Sequence, residues 1–226
     1  IYIVDKDPKI AEEFETQTIN TANFAKKLMG QIVFLYFLQK KGWLGVGKDS
    51  NGNFKDWGKG PKNFLRRLYD KEFTDYSNFF NDVLEPLFYE ALATERTSDV
   101  FTQFNCKIPF LNGGLFEPIN DYNWEETDIR IDNDLIGDVF KTFDQYNFTV
   151  REDEPLEKEV AVDPEMLGKV FENLLPENLR KGKGAYYTPR TIVHYMCQES
   201  LINYLYTECE PAPKEDIETL IREGEK

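Results

Sequence analysis

Residues 20–44, NTANFAKKLMGQIVFLYFLQKKGWL, decide how the rest of the chain must be arranged. Ala22, Ala25, Leu28, Met29, Ile32, Val33, Leu35, Tyr36 and Leu38 fall around most of a helical circumference, so the stretch reads as a central, buried helix and not a surface one. Lys40, Lys41 and Gly42 end it, with cations at the negative helix end and a glycine to turn the chain. The fold class expected is mainly α: a multi-helix domain packed on this helix, with at most one small β-hairpin.

Upstream, Ile1 to Val4 is a short β-type run broken by Asp5 to Pro8, either the last strand of an upstream domain or a frayed terminus. Downstream, Gly45 to Gly60 holds glycines with Asp49, Asn51 and Asn53, which is loop chemistry. GVGKDSNGNFKDWGKG has neither the P-loop pattern nor a dinucleotide turn, and it reads as a surface excursion. Pro61 opens a helix predicted to run to about Glu72, with Phe64, Leu65, Leu68 and Tyr69 inward. A helical stretch over Tyr76 to Ala93 contains Pro86, which predicts a kink or break near Leu84 or Glu85. Periodicity then lapses between Thr94 and Asn123, where IPFLNGGLFEP, residues 108–118, reads as an apolar structural plug. Asp132 or Asn133 can cap a helix reaching about Asp144 with Ile136 and Phe140 inward. Tyr146 to Val150 and Glu159 to Val162 are the two arms of the expected hairpin. Asp163 and Pro164 then start a helix with Met166, Leu167, Val170, Phe171, Leu174 and Leu175 on one stripe.

The chemistry gathers at GKGAYYTPRTIVHYM, residues 182–196. A glycine-flexed loop delivers Tyr186 and Tyr187 to a helix start, where Thr188 can cap and Pro189 suits the first helical position. Ile192, Val193, Tyr195, Met196, Leu201, Ile202 and Leu205 repeat at helical spacing and give that helix an apolar face to bury. An aromatic platform beside a positive helix end can attract carboxylate or phosphate, and can hold an adenine or a sulfonium by stacking. The same residues also suit a buried structural corner, so chemistry alone leaves both readings open. Arg180, Lys181, Lys183 and Arg190 form a local basic cluster that could touch DNA phosphates or simply be solvated. His194 has no recognisable catalytic partner nearby in sequence and reads as a helix-face residue.

GAYYTPR followed by a helix of the form I-V-x-x-M resembles motif X of the amino-group DNA methyltransferases. FLYFLQKKGWL at 34–44, PFLNGGLF at 109–116 and DPEMLGKVFENLL at 163–175 are similar to the connector of the adenine-specific, single-chain type IIG restriction-modification enzymes. The resemblance implies a helical connector domain over residues 1–162, with a tail of an upstream nuclease domain at 1–8. It implies that residues 163–226 form the N-terminal segment of a methyltransferase domain that includes motif X. Tyr186, Tyr187, Thr188 and Pro189 would border S-adenosyl-L-methionine, with Thr188 near its amino-acid end. Arg190 would join them, facing either a carboxylate or water.

The family's glycine-rich cofactor turn and its N/D-P-P-Y/F motif, which holds a flipped adenine, do not occur in the sequence. Catalytic residues are therefore expected to lie outside this chain. The expectation is an internal fragment, inactive alone, of a parent that methylates adenine N6 in double-stranded DNA and, where the nuclease is fused, also cleaves it. Its partners would be that DNA, the methyltransferase core and the nuclease domain.

Charge cuts against a DNA role for the chain as a whole. Across 226 residues there are 27 basic and 41 acidic side chains, a formal net charge of −14, which repels a polyanion unless cations are clustered. Cys106, Cys197 and Cys209 have no metal spacing and suit reduced thiols in a cytoplasmic protein. No apolar run approaches the length of a membrane span, and no membrane partner is expected. The competing class is an acidic helical scaffold that docks another protein through its tyrosines, without enzymatic activity. An acidic DNA mimic is a third reading, against which the dispersed charge pattern speaks.

Overall fold

Asn20 starts the central helix as its type predicts: the side-chain oxygen accepts the Asn23 amide at 3.0 Å. In the computed structural model, which describes residues 8–111, 114–148, 161–162, 168, 188–208 and 213–224, this helix (α2) runs Thr21–Lys41 after a short α1, Pro8–Thr16. Gly42 closes α2 in the left-handed region, φ 71°, which costs a residue without Cβ little. Ile32, Val33, Leu35, Tyr36, Phe37 and Leu38 are all buried, so α2 is the core helix that its apolar circumference requires.

The polar residues on α2 are there to bond its neighbours. Gln39, also buried, accepts the Leu65 amide at 3.0 Å and so caps α3 (Phe64–Tyr69), whose own N-cap Asn63 makes no side-chain bond. Gln31 donates to the Leu115 carbonyl at 2.9 Å and Lys27 to the Gly114 carbonyl at 3.1 Å, fastening the 108–118 plug through its described part. Tyr36 donates to the Asp144 carboxylate at 2.8 Å, and Arg66 of α3 pairs with the same carboxylate at 2.7 Å. Asp144 caps α4, Asn133–Phe143, so three helices meet at one acid.

α4 begins where it was predicted, with Asp132 accepting the Asp134 amide and Ile136 and Phe140 buried. α3 is shorter than the predicted helix and starts at Phe64 instead of Pro61. Over Tyr76 to Ala93 the chain forms two π-helical turns, Phe80–Leu84 and Pro86–Leu92, that meet at Glu85. Pro86 supplies no N–H and cannot take its place in an i→i−4 ladder, and the Glu85 amide bonds back to the Phe80 carbonyl, five residues away. The predicted break is thus a change of pitch. Rings from all of these elements interlock; Phe79 meets Tyr69 at 5.3 Å and Phe140 at 5.7 Å, both edge to face.

Two small sheets complete this part. β1 (Val100–Phe101) and β2 (Cys106–Lys107) form an antiparallel pair within the segment where periodicity lapses. β3 (Asn147–Phe148) and β4 (Ala161–Val162) pair as expected by position, but they are parallel. The expected hairpin between them is therefore corrected: a hairpin turn would make the pair antiparallel, whereas residues 149–160 are a connection long enough for a crossover. The fold remains mainly α, and β1 with β2 is its one antiparallel sheet among the described residues.

The chain falls into two compact units, Ile1–Asn178 and Leu179–Lys226. The second contains α5 (Arg190–Glu208) and α6 (Lys214–Glu223), which pack on each other through buried Ile202 and Ile217 and are pinned by the Arg222–Glu199 ion pair. Apart from Gly168, which is helical, the helix expected from Asp163 lies outside the described residues, as do the β-type run at 1–4 and the cations at 180–183.

Candidate functional site

The helix start predicted at Thr188 exists, shifted by one residue. The Pro189 carbonyl accepts the Ile192 amide at 2.9 Å and the Val193 amide at 3.1 Å, which makes Pro189 the cap and Arg190 the first helical residue of α5. Thr188 and Pro189 are exposed, so the amides of the first turn stand at an open surface. Tyr186 and Tyr187, the expected aromatic platform, lie outside the described residues, as does the side chain of Arg190.

The apolar face expected for this helix is present but uncovered within its own unit. Ile192, Val193, Tyr195, Met196 and Tyr204 are exposed, and Ile202 alone of the predicted face is fully buried. His194 and Cys197 are exposed on the same helix. What the arrangement offers chemically is a positive helix end with an apolar margin. Acid, base and nucleophile are not assembled there among the described residues.

The other places where chemistry could collect are structural. Glu85 is fully buried, with the Tyr122 hydroxyl 2.6 Å from one carboxylate oxygen and the Tyr89 hydroxyl 3.1 Å from that of Tyr122. Burial pushes the Glu85 carboxyl up to about 8, with the negative Asp128 and Asp82 adding to the shift against the Tyr122 bond. Burial likewise pushes the Cys106 thiol up to about 12, which makes it inert. An open groove of about 630 Å³ is lined by Arg66, Tyr69, Asp134, Gly137, Asp138 and Lys141. Its arginine is already committed to Asp144 and stacked against Tyr69 and Phe140. Among the described residues no group of His, Cys, Asp or Glu is placed to hold a metal ion, and no helix is long and apolar enough to cross a membrane.

One surface escaped the sequence reading. The glycine-rich stretch 45–60 is tied down: Val46 pairs with Lys107, and Gly58 and Gly60 both bond the Gly42 carbonyl. Lysines and tryptophans of distant sequence position come together there. The lysines within 41–62 were visible in sequence, but the approach of Lys107 had no local signal.

Fold and helix start together define a mainly helical scaffold that carries an exposed cap and apolar helix. No family model matches the chain, and no solved structure matches it significantly. It is similar to a Methanocaldococcus jannaschii protein provisionally named a type II restriction enzyme and methyltransferase, with 36% identity over 195 residues and 82% of this chain covered. The chain spans 15% of the length of that relative.

Proposed function

We propose that this chain is the helical connector (residues 1–162) and the N-terminal segment of the methyltransferase domain (163–226) of a restriction-modification enzyme. The whole enzyme would transfer a methyl group from S-adenosyl-L-methionine to adenine N6 in double-stranded DNA in the cytoplasm. A nuclease domain fused upstream would let it cleave DNA as well. The observation that carries this reading is the 36% identity to the archaeal restriction enzyme and methyltransferase, which extends over 82% of the chain and so takes in most of the scaffold.

The residues present suit the cofactor. Thr188 and Pro189 stand exposed at a helix N-terminus whose free amides favour an anionic group, such as the carboxylate of an amino acid. The apolar side chains beside it, Ile192 and Val193, are uncovered and would exclude water from one side of a bound ligand. In this reading Tyr186, Tyr187, Thr188, Pro189 and Arg190 border the cofactor: the tyrosines by stacking, Thr188 by its hydroxyl and Arg190 by its charge. The cofactor supplies the electrophilic methyl group. The groups that hold the target base and take up its proton belong to the methyltransferase core, so this chain alone is expected to be inactive.

Calorimetric titration of S-adenosyl-L-methionine tests the proposal. It compares the 226-residue chain with the natural reading frame continued several hundred residues beyond it, with and without Tyr187→Ala plus Thr188→Ala. Binding by the longer protein alone, weakened about ten-fold or more by the double substitution, is the expected result. A longer protein that ignores the cofactor, or a double variant that binds as before, would leave the acidic docking scaffold as the better reading.

A further inference from the structure

Gly42 separates Lys41 from Trp43 at the end of α2, and its carbonyl accepts the amides of Gly58 and Gly60 at 3.1 and 2.9 Å. Those bonds set the Lys41 corner beside the corner formed by Trp57 and Lys59. The approach has no slack. A Cβ on Gly42 would fall 2.4 Å from the Gly58 carbonyl oxygen and 2.9 Å from the Lys62 ammonium, so Lys62 belongs to the same corner. From the other side, Lys107 arrives through its pairing with Val46, lies over the Trp57 ring at 4.5 Å and donates to the Lys55 carbonyl at 3.4 Å. Lys41 lies over Trp43 at 5.4 Å.

Lys41, Lys55, Lys59 and Lys62 are exposed, as are Trp43 and Trp57. Among the described residues none of these lysines, nor Lys107, forms an ion pair, although the chain carries 41 acidic residues. Of the two acids in the loop, Asp49 is occupied by the Asn51 and Asn53 amides, and Asp56, exposed between Lys55 and Trp57, stands against the lysines at 41, 55, 59, 62 and 107. Ammonium groups that outnumber the acids among them repel one another, and an external polyanion relieves that repulsion. Elsewhere a net charge of −14 turns a polyanion away, so the patch also fixes which face meets it. Lysines are flexible point charges, suited to phosphates and poor at reading bases. A folded protein partner would call for an apolar pocket as anchor; here the rings lie beneath their own lysines.

We infer that this lysine and tryptophan surface, built from the end of α2, the glycine-rich loop and β2, is a contact site for the phosphodiester backbone of duplex DNA. The choice of DNA as the polyanion rests on the proposed function. The surface grips without reading sequence, leaving recognition to other parts of the protein.

The test is made in the full natural protein, with fluorescence anisotropy of a labelled duplex of arbitrary sequence across a salt series. Lys59→Glu with Lys62→Glu is expected to weaken binding about ten-fold or more and to lower the slope of log affinity against log salt by about two. Lys26→Glu with Lys141→Glu makes the same change of charge on α2 and α4 away from the patch, and should cost less than about three-fold. Far-ultraviolet circular dichroism of both variants checks that the helices persist. Equal losses in the two pairs, or none in the first, overturn the inference while intact cofactor binding leaves the proposed function standing. Absence of any duplex binding in the full protein overturns both. Polyglutamate of matched charge that displaces the duplex as readily as unlabelled DNA would also overturn the assignment to nucleic acid.

Discussion

Glu85 carries the sharpest consequence at the scale of a single residue. Its carboxyl, held in the core with one oxygen unpartnered among the described residues, is pushed up to about 8 from an ordinary 4.5 by burial first and by the neighbouring acids second. The folded state therefore keeps a proton that the unfolded chain has lost. Stability from this group is fully present below about pH 4.5 and falls as pH rises toward 8, by an amount on the order of a few kcal/mol. Glu85→Gln keeps an acceptor for Tyr122 and removes the titration. Thermal melts at pH 5.5, 7 and 8.5 should show that decline in the parent and a flatter profile in the variant; parallel profiles would mean that Glu85 is ionised in the fold. Gly60 gives a second test, because a Cβ there would lie 2.1 Å from the Leu44 carbonyl oxygen. Backbone cannot yield as a side-chain tip can, so Gly60→Ala should cost about 2–4 kcal/mol in urea unfolding, well beyond a typical surface change.

Between elements, capping by a distant residue matters as much as local propensity. Gln39 closes the first turn of α3 from within α2, and no sequence rule for Asn63 or Phe64 announces it. Gln39→Ala leaves the buried Leu65 amide without its partner and should destabilise by about 1–3 kcal/mol. Amide exchange should localise the loss, with α3 opening first; uniform protection loss would instead implicate the core packing of α2. This separates what sequence could reveal from what it could not. α2 and α4 were legible because Asn20, Gly42 and Asp132 act on their own helices, and because apolar periodicity survives burial. The π-helical turns were not, since a change from four to five residues per bond leaves nearly the same apolar pattern around Pro86. The parallel β3–β4 pair was also hidden, because strands this short carry no sign of direction. At the candidate site the Thr188–Pro189 helix start was readable from two residues. The lysine surface was not, because Lys107 reaches Trp57 only through the Val46 pairing.

At the scale of the molecule, the α5–α6 unit stands apart from the first in how it buries its residues. The first unit encloses a continuous aromatic core, whereas α5 leaves Ile192, Val193, Tyr195, Met196 and Tyr204 exposed around much of its surface. Several large apolar side chains left exposed on one helix mark an interaction surface. If the methyltransferase core covers it, as the proposed function requires, these side chains have opposite values in two contexts. Tyr195→Ser with Met196→Ser should leave the melting temperature of the 226-residue chain nearly unchanged and lower its binding of a hydrophobic dye, because little apolar area is lost from a packed interior. In the reading frame continued beyond residue 226, the same pair should destabilise by about 2–5 kcal/mol, the cost of truncating two buried side chains. Calorimetric melts of both lengths make the comparison. An equal, small effect in each would show that α5 stays uncovered in the longer protein and would count against a methyltransferase core packed over this helix.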